Sequence, residues 1–557
     1  MKRIGIAALL CLGLVLACCA AGAEAGKSPL TGLWTFVHSD GESSGNYIEF
    51  AETGLYIGQS IREAEGIPPW SLVYEVLTWQ DLGGGSVRIG HKEDSYTLKG
   101  DTLTLTSISS FYGGPITQVF RRVPERPAVL RTILREGGFA FSLDEAGCAV
   151  IERYLGDSDP ADRELIVPSS LGGHRVTGTE GYAFEDCSKN AVVLPDTLTS
   201  IGDYAFWRAN ITRVVIPEGV NAIGASAFSG NLFEEISIPA SVRVIGERAF
   251  DSCRWLTELT LPEGVAEIGD CAFESCARLQ RVSLPASLAR IGENAFADCS
   301  ELTEIILPAG HPRYYTDGGI LYGAEDRRLI CYPSGLEAET FAVPDGIQVI
   351  GGGAFSGNQH LTAVAIAGSV TEIGPKAFSD CKHLLEVLIP DSVTAIGEEA
   401  FAGCWSLAEV SIPAGVTELS IGLFARCVEL TRVTLSDGLS VIGPQAFWEC
   451  DSLCDVRFPD SLTIIGYDAF RDCYSLTEAV LPEGVRSIGS GAFNDCKSLT
   501  SVSLPASLTE IGYRAFTVYD RKSREEVPNA NLVLTVRPGT YAEQYCRKTG
   551  FNYVCAE

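Results

Sequence analysis

The chain has 557 residues, a formal charge of −29, 46% apolar residues, 58 glycines and a single methionine. The acidic excess works against nucleic acid or an anionic lipid surface as partner and favours solubility outside a cell. The apolar content, combined with so many glycines, fits short strands joined by many turns. At the start, Met1-Lys2-Arg3 leads into an apolar run from Ile4 to Leu16 and a small-residue stretch from Ala21 to Ala25. That is the pattern of a secretory signal peptide over residues 1–25, and its apolar run is too short to span a bilayer. Val15-Leu16-Ala17 before Cys18 offers a competing reading, lipid attachment at Cys18, although the doubled Cys18-Cys19 departs from the usual box.

Residues 27–124 show alternating apolar segments separated by glycine turns, among them Leu33-Trp34-Thr35-Phe36, Tyr47-Ile48-Glu49-Phe50, Tyr96 to Leu105 and Gln118 to Val123. Such a series predicts an antiparallel meander or small β-barrel. The Gly32-x-Trp34 opening, with Arg121 and Arg122 on the last strand, resembles the lipocalin-like pattern. That resemblance implies an arginine covering the tryptophan at the closed end, and leaves open either a filled barrel or a cavity for a small apolar ligand.

Residues 125–180 are expected to contain a linker with a short helix over 125–135. Strands at Phe139–Leu143, Cys148–Tyr154 and Leu165–Pro168 would then form an N-terminal cap. From residue 181 to 520 the chain repeats. Ala-Phe, replaced once by Leu423-Phe424, returns with its phenylalanine at 184, 206, 228, 250, 273 and 296, then, after a gap of 59, at 355, 378, 401, 424, 447, 470, 493 and 516. The spacing is 22 or 23 residues on either side of that gap. A fixed period in the twenties signals a solenoid whose units cannot bury their apolar faces alone. Within one unit, Leu256-x-x-Leu259-x-Leu261-Pro262 predicts a short strand with Leu259 and Leu261 inward and Thr260 outward, ended by the proline. Gly269 is expected to permit the following bend, and Ala272-Phe273 to fill the far side.

The units, such as HLLEVLIPDSVTAIGEEAFAGC, resemble the BspA-like (Treponema-type) leucine-rich repeats of bacterial surface proteins. That resemblance implies a mainly β solenoid with a parallel sheet and short helical turns, preceded here by the small antiparallel barrel. It further implies caps at both ends, with residues 521–557 closing the C-terminal one. Residues 308–344 break the phase and read as a long hairpin unit rich in tyrosine: Tyr314, Tyr315, Tyr322 and Tyr332. Aromatic concentration makes those four a candidate binding feature, against the simpler reading of a local hairpin core. After Phe516, a loop over Tyr519–Asn531, a strand over Leu532–Val536 and a helix between Gly539 and Gly550 are expected.

Ten of the nineteen cysteines stand three residues after the repeat phenylalanine: Cys187, Cys253, Cys276, Cys299, Cys381, Cys404, Cys427, Cys450, Cys473 and Cys496. Asn231 and Asn358 take the same slot, which points to a buried turn position bonding to nearby backbone. A ladder presents one sulfur per layer in parallel, which suits neither a tetrahedral metal site nor a disulfide. Cys546 and Cys555 are the pair near enough in sequence to bridge in an oxidising compartment. No zinc-protease, P-loop or dinucleotide motif accompanies the six scattered histidines, so neither an enzyme nor a cofactor or metal is expected.

One outward column is acidic: Glu235, Glu258, Glu304, Glu386, Glu409, Asp455 and Glu478, interrupted by Arg213, Arg281 and Arg432. In register, these acids would line a concave stripe suited to a basic protein segment or calcium, or would form a plain solvated face. The resemblance implies a secreted or cell-surface protein that adheres to or recognises extracellular proteins or cell surfaces. The alternative is a small-ligand carrier in which the barrel binds and the solenoid docks.

Overall fold

The computed structural model describes residues 132–556, except 157–162, 186, 188 and 521–524, together with eight strands between residues 32 and 122. The proposed signal peptide, the Cys18 anchor and most of the 125–135 linker lie outside the described residues. The chain divides into two compact units, Met1–Ala209 and Asn210–Glu557.

In the first unit, strands Gly32–Val37, Ser43–Phe50, Leu55–Ala64, Ile67–Gly83, Ser86–Ile89, Lys92–Lys99, Thr102–Ile108 and Pro115–Arg122 close into an antiparallel barrel in chain order. The last strand pairs with the first and sets Arg122 opposite Trp34 in the register. Trp34, Ile48, Leu103, Leu105 and Phe120 are buried, as the alternation of their strands requires. Whether a cavity remains depends on side chains outside the described residues, as does the arginine cover over Trp34. Where the linker was expected to be helical, Leu134–Glu136 is a strand, antiparallel to Phe139–Leu143. Phe139–Leu143 pairs with Ala149–Tyr154, which runs parallel to His174–Thr179. The Tyr154 ring lies 5.3 Å from Phe139 and 6.4 Å from Phe184, and Phe184 stacks on Phe206 at 4.3 Å.

In the second unit each repeat contributes a three-residue strand, a two-residue strand and a turn segment, except that the repeat around Glu235 lacks the three-residue strand. Three-residue strands such as Glu258–Thr260, Arg281–Ser283 and Glu304–Ile306 pair in parallel, their middle residue buried and their outer two facing solvent. Two-residue strands such as Glu267–Ile268 and Arg290–Ile291 form a second parallel sheet. On the turn side the phenylalanines stack in one file. Phe228 to Phe296 are 5.3 to 5.7 Å apart and Phe355 to Phe516 are 4.7 to 5.7 Å apart, with rings nearly parallel. From Ile320 to Phe551 this file and the inward Leu, Ile and Val residues make one continuous apolar core.

Two features of the turn segment carry the stacking. First, residues two before and two after the phenylalanines from Phe228 to Phe493 are left-handed although few are glycine: Arg248 and Ser252 around Phe250 have φ of 54° and 58°, Lys376 and Asp380 around Phe378 have 56° and 55°. That conformation costs roughly 1–2 kcal/mol per residue. It aims alternate N–H groups at the next repeat, so the amides of Arg248, Phe250 and Ser252 donate to the carbonyls of Asp270, Ala272 and Glu274 at 2.8 to 2.9 Å. Second, the glycine expected to permit a bend has another role. Gly269 does not have a positive φ. A Cβ there would meet the Glu247 amide nitrogen at 2.6 Å, so the glycine lets adjacent backbones approach.

The long unit is a hairpin, Tyr314–Asp317 with Ile320–Gly323. Arg328–Cys331 pairs antiparallel with its second strand and parallel with Val349–Ile350, which re-enters the array. At the C-terminal end, the expected loop after Phe516 is instead a hairpin, Thr517–Asp520 with Glu525–Pro528. A strand Val533–Val536 and helix α1 (Tyr541–Thr549) follow, with Thr540 as N-cap and Gly550 left-handed after the last turn. Phe551 meets Phe516 edge-on at 6.2 Å. Apart from α1 the described chain is strands and turns, so the expected short helical turns are non-helical turns here.

Candidate protein-binding face

The acidic column is the first outward position of the three-residue strands. The ladder sets Glu258 beside Arg281 and Arg281 beside Glu304, and likewise Glu409 beside Arg432 and Arg432 beside Asp455. Each arginine clamps the acids on both sides. Arg281 Nη1 is 3.2 Å from Glu258 Oε1 and its Nε donates to Glu304 Oε2 at 2.9 Å. Arg432 repeats this arrangement on Glu409 at 3.2 Å and Asp455 at 2.8 Å. The hydrogen bonds to Glu304 and Asp455 hold the two guanidiniums even more firmly in the charged form. The stripe is therefore two arginine-clamped triads, each still one charge negative, with Glu386 and Glu478 left over, each without an ion pair among the described residues. Glu386 has Ala363 as ladder neighbour, and Glu478 has Ser501. Glu235 falls between Ile223 and Val244, where no strand forms, and so is outside the paired register.

The tyrosine cluster does not form one surface. Tyr322 and Tyr332 are buried. Tyr322 points into the hairpin's inner side, where burial pushes its phenol up to about 12. Tyr332 stacks on Phe355 at 5.1 Å, taking the phenylalanine slot of the long unit. Tyr315 is exposed and stacks on Tyr322 at 5.0 Å. The Tyr314 hydroxyl donates to the Ala289 carbonyl at 3.3 Å. Beside Tyr314 lies a cleft of about 340 Å³ lined by Asp270, Arg290, Glu293, Arg313 and Arg328. Arg290 pairs across it with Asp270 at 3.5 Å and Arg328 with Glu293, while Arg313 pairs with Glu325 outside the lining at 3.8 Å.

The cysteine column forms a ladder of thiol–carbonyl bonds. Each thiol from Cys253 to Cys496 donates to the carbonyl of the preceding repeat's phenylalanine: Cys276 to Phe250 at 3.3 Å, Cys404 to Phe378 at 3.1 Å, Cys496 to Phe470 at 3.0 Å. Asn231 serves the slot by donating to the Phe228 carbonyl at 2.8 Å, and Asn358 by donating to the Ser334 carbonyl at 3.3 Å. Burial pushes the Cys253 and Cys427 thiols up to about 12, which keeps them protonated and unreactive. Cys546 is buried, Cys555 is exposed, and both are free thiols.

Two features were not picked out in the sequence. Gly41-Glu42-Ser43-Ser44-Gly45 spells the G-x-S-x-G nucleophile motif, but Ser43 opens a barrel strand and no helix follows it, so the strand–turn–helix context is missing. Buried Glu274 is held by Arg248 at 2.9 Å and by Lys376 at 3.6 Å, an ion bridge across the long unit that only the fold brings together. No helix among the described residues is long and apolar enough to cross a membrane.

Stacked coils of this length, each with a three-residue parallel strand and an inward L-x-x-L-x-L pattern, define a leucine-rich-repeat solenoid. The model of the BspA type leucine-rich repeat region matches six copies, over residues 223–316, 331–454 and 418–524. These spans cover more than half of the chain, which belongs to that family. Among solved structures, a leucine-rich repeat protein from Eubacterium ventriosum is 23% identical, covering 64% of this chain and 92% of its own, with a TM-score of 0.49. The pneumococcal vaccine antigen PcpA is 17% identical over 77% of this chain and 99% of its own, with a TM-score of 0.47. A leucine-rich cell surface protein from Faecalibacterium prausnitzii is 23% identical, covering 76% and 98%, with a TM-score of 0.37. No curated protein matches the chain.

Proposed function

We propose that this chain is a secreted or cell-surface binding protein whose sheet face recognises an extracellular protein or another cell's surface. Family membership supports a protein-interaction scaffold. The observation that carries the finer reading is the outward face of the parallel three-residue strands, which set two outward side chains each over a buried middle residue. A repeat surface of this kind specifies an extended contact area rather than a chemical step. Residues 125–180 and 521–557 serve as the array's caps, and the barrel as anchor, spacer or accessory module.

The test is binding of the full mature chain to immobilised extracellular-matrix proteins and to intact cells at two salt concentrations. Saturable binding that weakens with salt is the expected result. Absence of binding at both concentrations overturns the reading.

A further inference from the structure

The two outward columns of the sheet face are related. Within the two clamped triads the second outward residue is small or polar: Thr260, Ser283, Ser411, Thr434 and Arg457, with Ile306 the exception at 39% exposure. Beside the two unclamped acids it is large, apolar and open. Leu388 next to Glu386 is 64% exposed, and Val480 next to Glu478 is 66% exposed. Leu385, 55% exposed, widens the first of these patches. The face therefore holds two acid–apolar dyads, Glu386–Leu388 and Glu478–Val480, with the Glu409–Arg432–Asp455 triad between them.

The dyads occupy the same slot of their repeats, although Glu386–Leu388 and Glu478–Val480 belong to different sheets. Four repeats separate them, about 19 Å at about 4.8 Å per repeat. Their acids lie in one column and their apolar residues in the next, about 7 Å away along the strand. A ligand complementary to this pattern carries a basic stripe and an apolar stripe, parallel and side by side. A basic amphipathic helix lying across the strands has that form, and 19 Å corresponds to about 13 helical residues. We infer that the two dyads form a docking track for a basic amphipathic helix of a protein partner, with the arginine-clamped triad, whose carboxylates are already paired, as a spacer. This inference rests on the sheet-face reading and adds the chemistry of the partner.

The probe is a labelled 20-residue synthetic helix with one lysine stripe and one leucine stripe, titrated by fluorescence anisotropy against the full mature chain. Glu386→Gln/Leu388→Ser and Glu478→Gln/Val480→Ser are each expected to weaken binding at least tenfold, whereas Glu409→Gln in the triad changes it less than twofold. A peptide with glutamate in place of lysine, or with two central prolines, is expected to bind at least tenfold more weakly than the parent. All substituted positions are exposed, and unchanged thermal unfolding confirms that the variants fold. Equal binding by the dyad variants, or by the proline peptide, overturns the inference. If the dyad variants still bind matrix proteins or cells as the parent does, the helix track fails while the sheet-face reading stands. If the parent chain binds none of them, both fail.

Discussion

The thiol of Cys450 donates to the carbonyl of Phe424, one repeat back, at 3.1 Å. The amide of Cys427 donates to that carbonyl at 3.2 Å, so each phenylalanine oxygen ties its own turn to the next repeat. Cys450→Ala removes the thiol bond and leaves a small void, with an expected loss of about 1–2 kcal/mol. Cys450→Asn is expected to cost less, because Asn231 and Asn358 already satisfy this slot. Urea unfolding of the three proteins ranks them.

The same column makes stability depend on pH. Burial raises the Cys253 and Cys427 thiols from 9.0 to about 12, and the unfolded chain returns them to the ordinary value. A thiol with a raised folded pKa contributes its full stability below about pH 9 and loses it as pH rises toward 12. The urea midpoint is expected to be flat from pH 7 to 8.5 and to fall steeply above pH 9. At pH 8, a thiol reagent is expected to modify exposed Cys454 and Cys555 quickly in the folded chain and the ladder cysteines only after unfolding.

Phe401 sits between Phe378 at 5.1 Å and Phe424 at 5.5 Å. Phe401→Ala is expected to cost about 3–5 kcal/mol. Because each repeat is supported only by its neighbours, the loss should appear as a broadened or split thermal transition rather than a simple shift. Calorimetry distinguishes these outcomes.

Two glycines give a matched contrast. A Cβ on Gly397 would meet the Pro375 nitrogen at 2.4 Å, whereas a Cβ on Gly368 meets nothing within 4 Å. Gly397→Ala is expected to destabilise by about 1–3 kcal/mol and Gly368→Ala to change stability by less than about 0.5 kcal/mol. Thermal melts of the two variants check both.

The period of the phenylalanines carried most of this fold, because a stacked repeat writes its core into the sequence at fixed spacing. The same period held two signals that were passed over. Tyr332 stands 23 residues before Phe355, so its place in the ring file was readable. Arg281 stands 23 residues from both Glu258 and Glu304, so the charge clamp was readable too. The left-handed turns were not readable. Arg248, Lys376, Gln445 and Glu449 are not residues that mark such a conformation, and the bonds that hold it come from the next repeat. The role of Gly269 was hidden for a related reason, since its constraint is a neighbouring backbone rather than its own torsion.

The most direct measurement compares the mature chain with its Glu386→Lys/Glu478→Lys variant for saturable binding to the immobilised matrix protein or cell type that the parent recognises. Both residues are exposed and unclamped, so the variant keeps the core and the arginine triads intact. The sheet-face account predicts at least a tenfold loss of affinity at low salt, shrinking as salt rises. Equal affinity of parent and variant at both salt concentrations would contradict it.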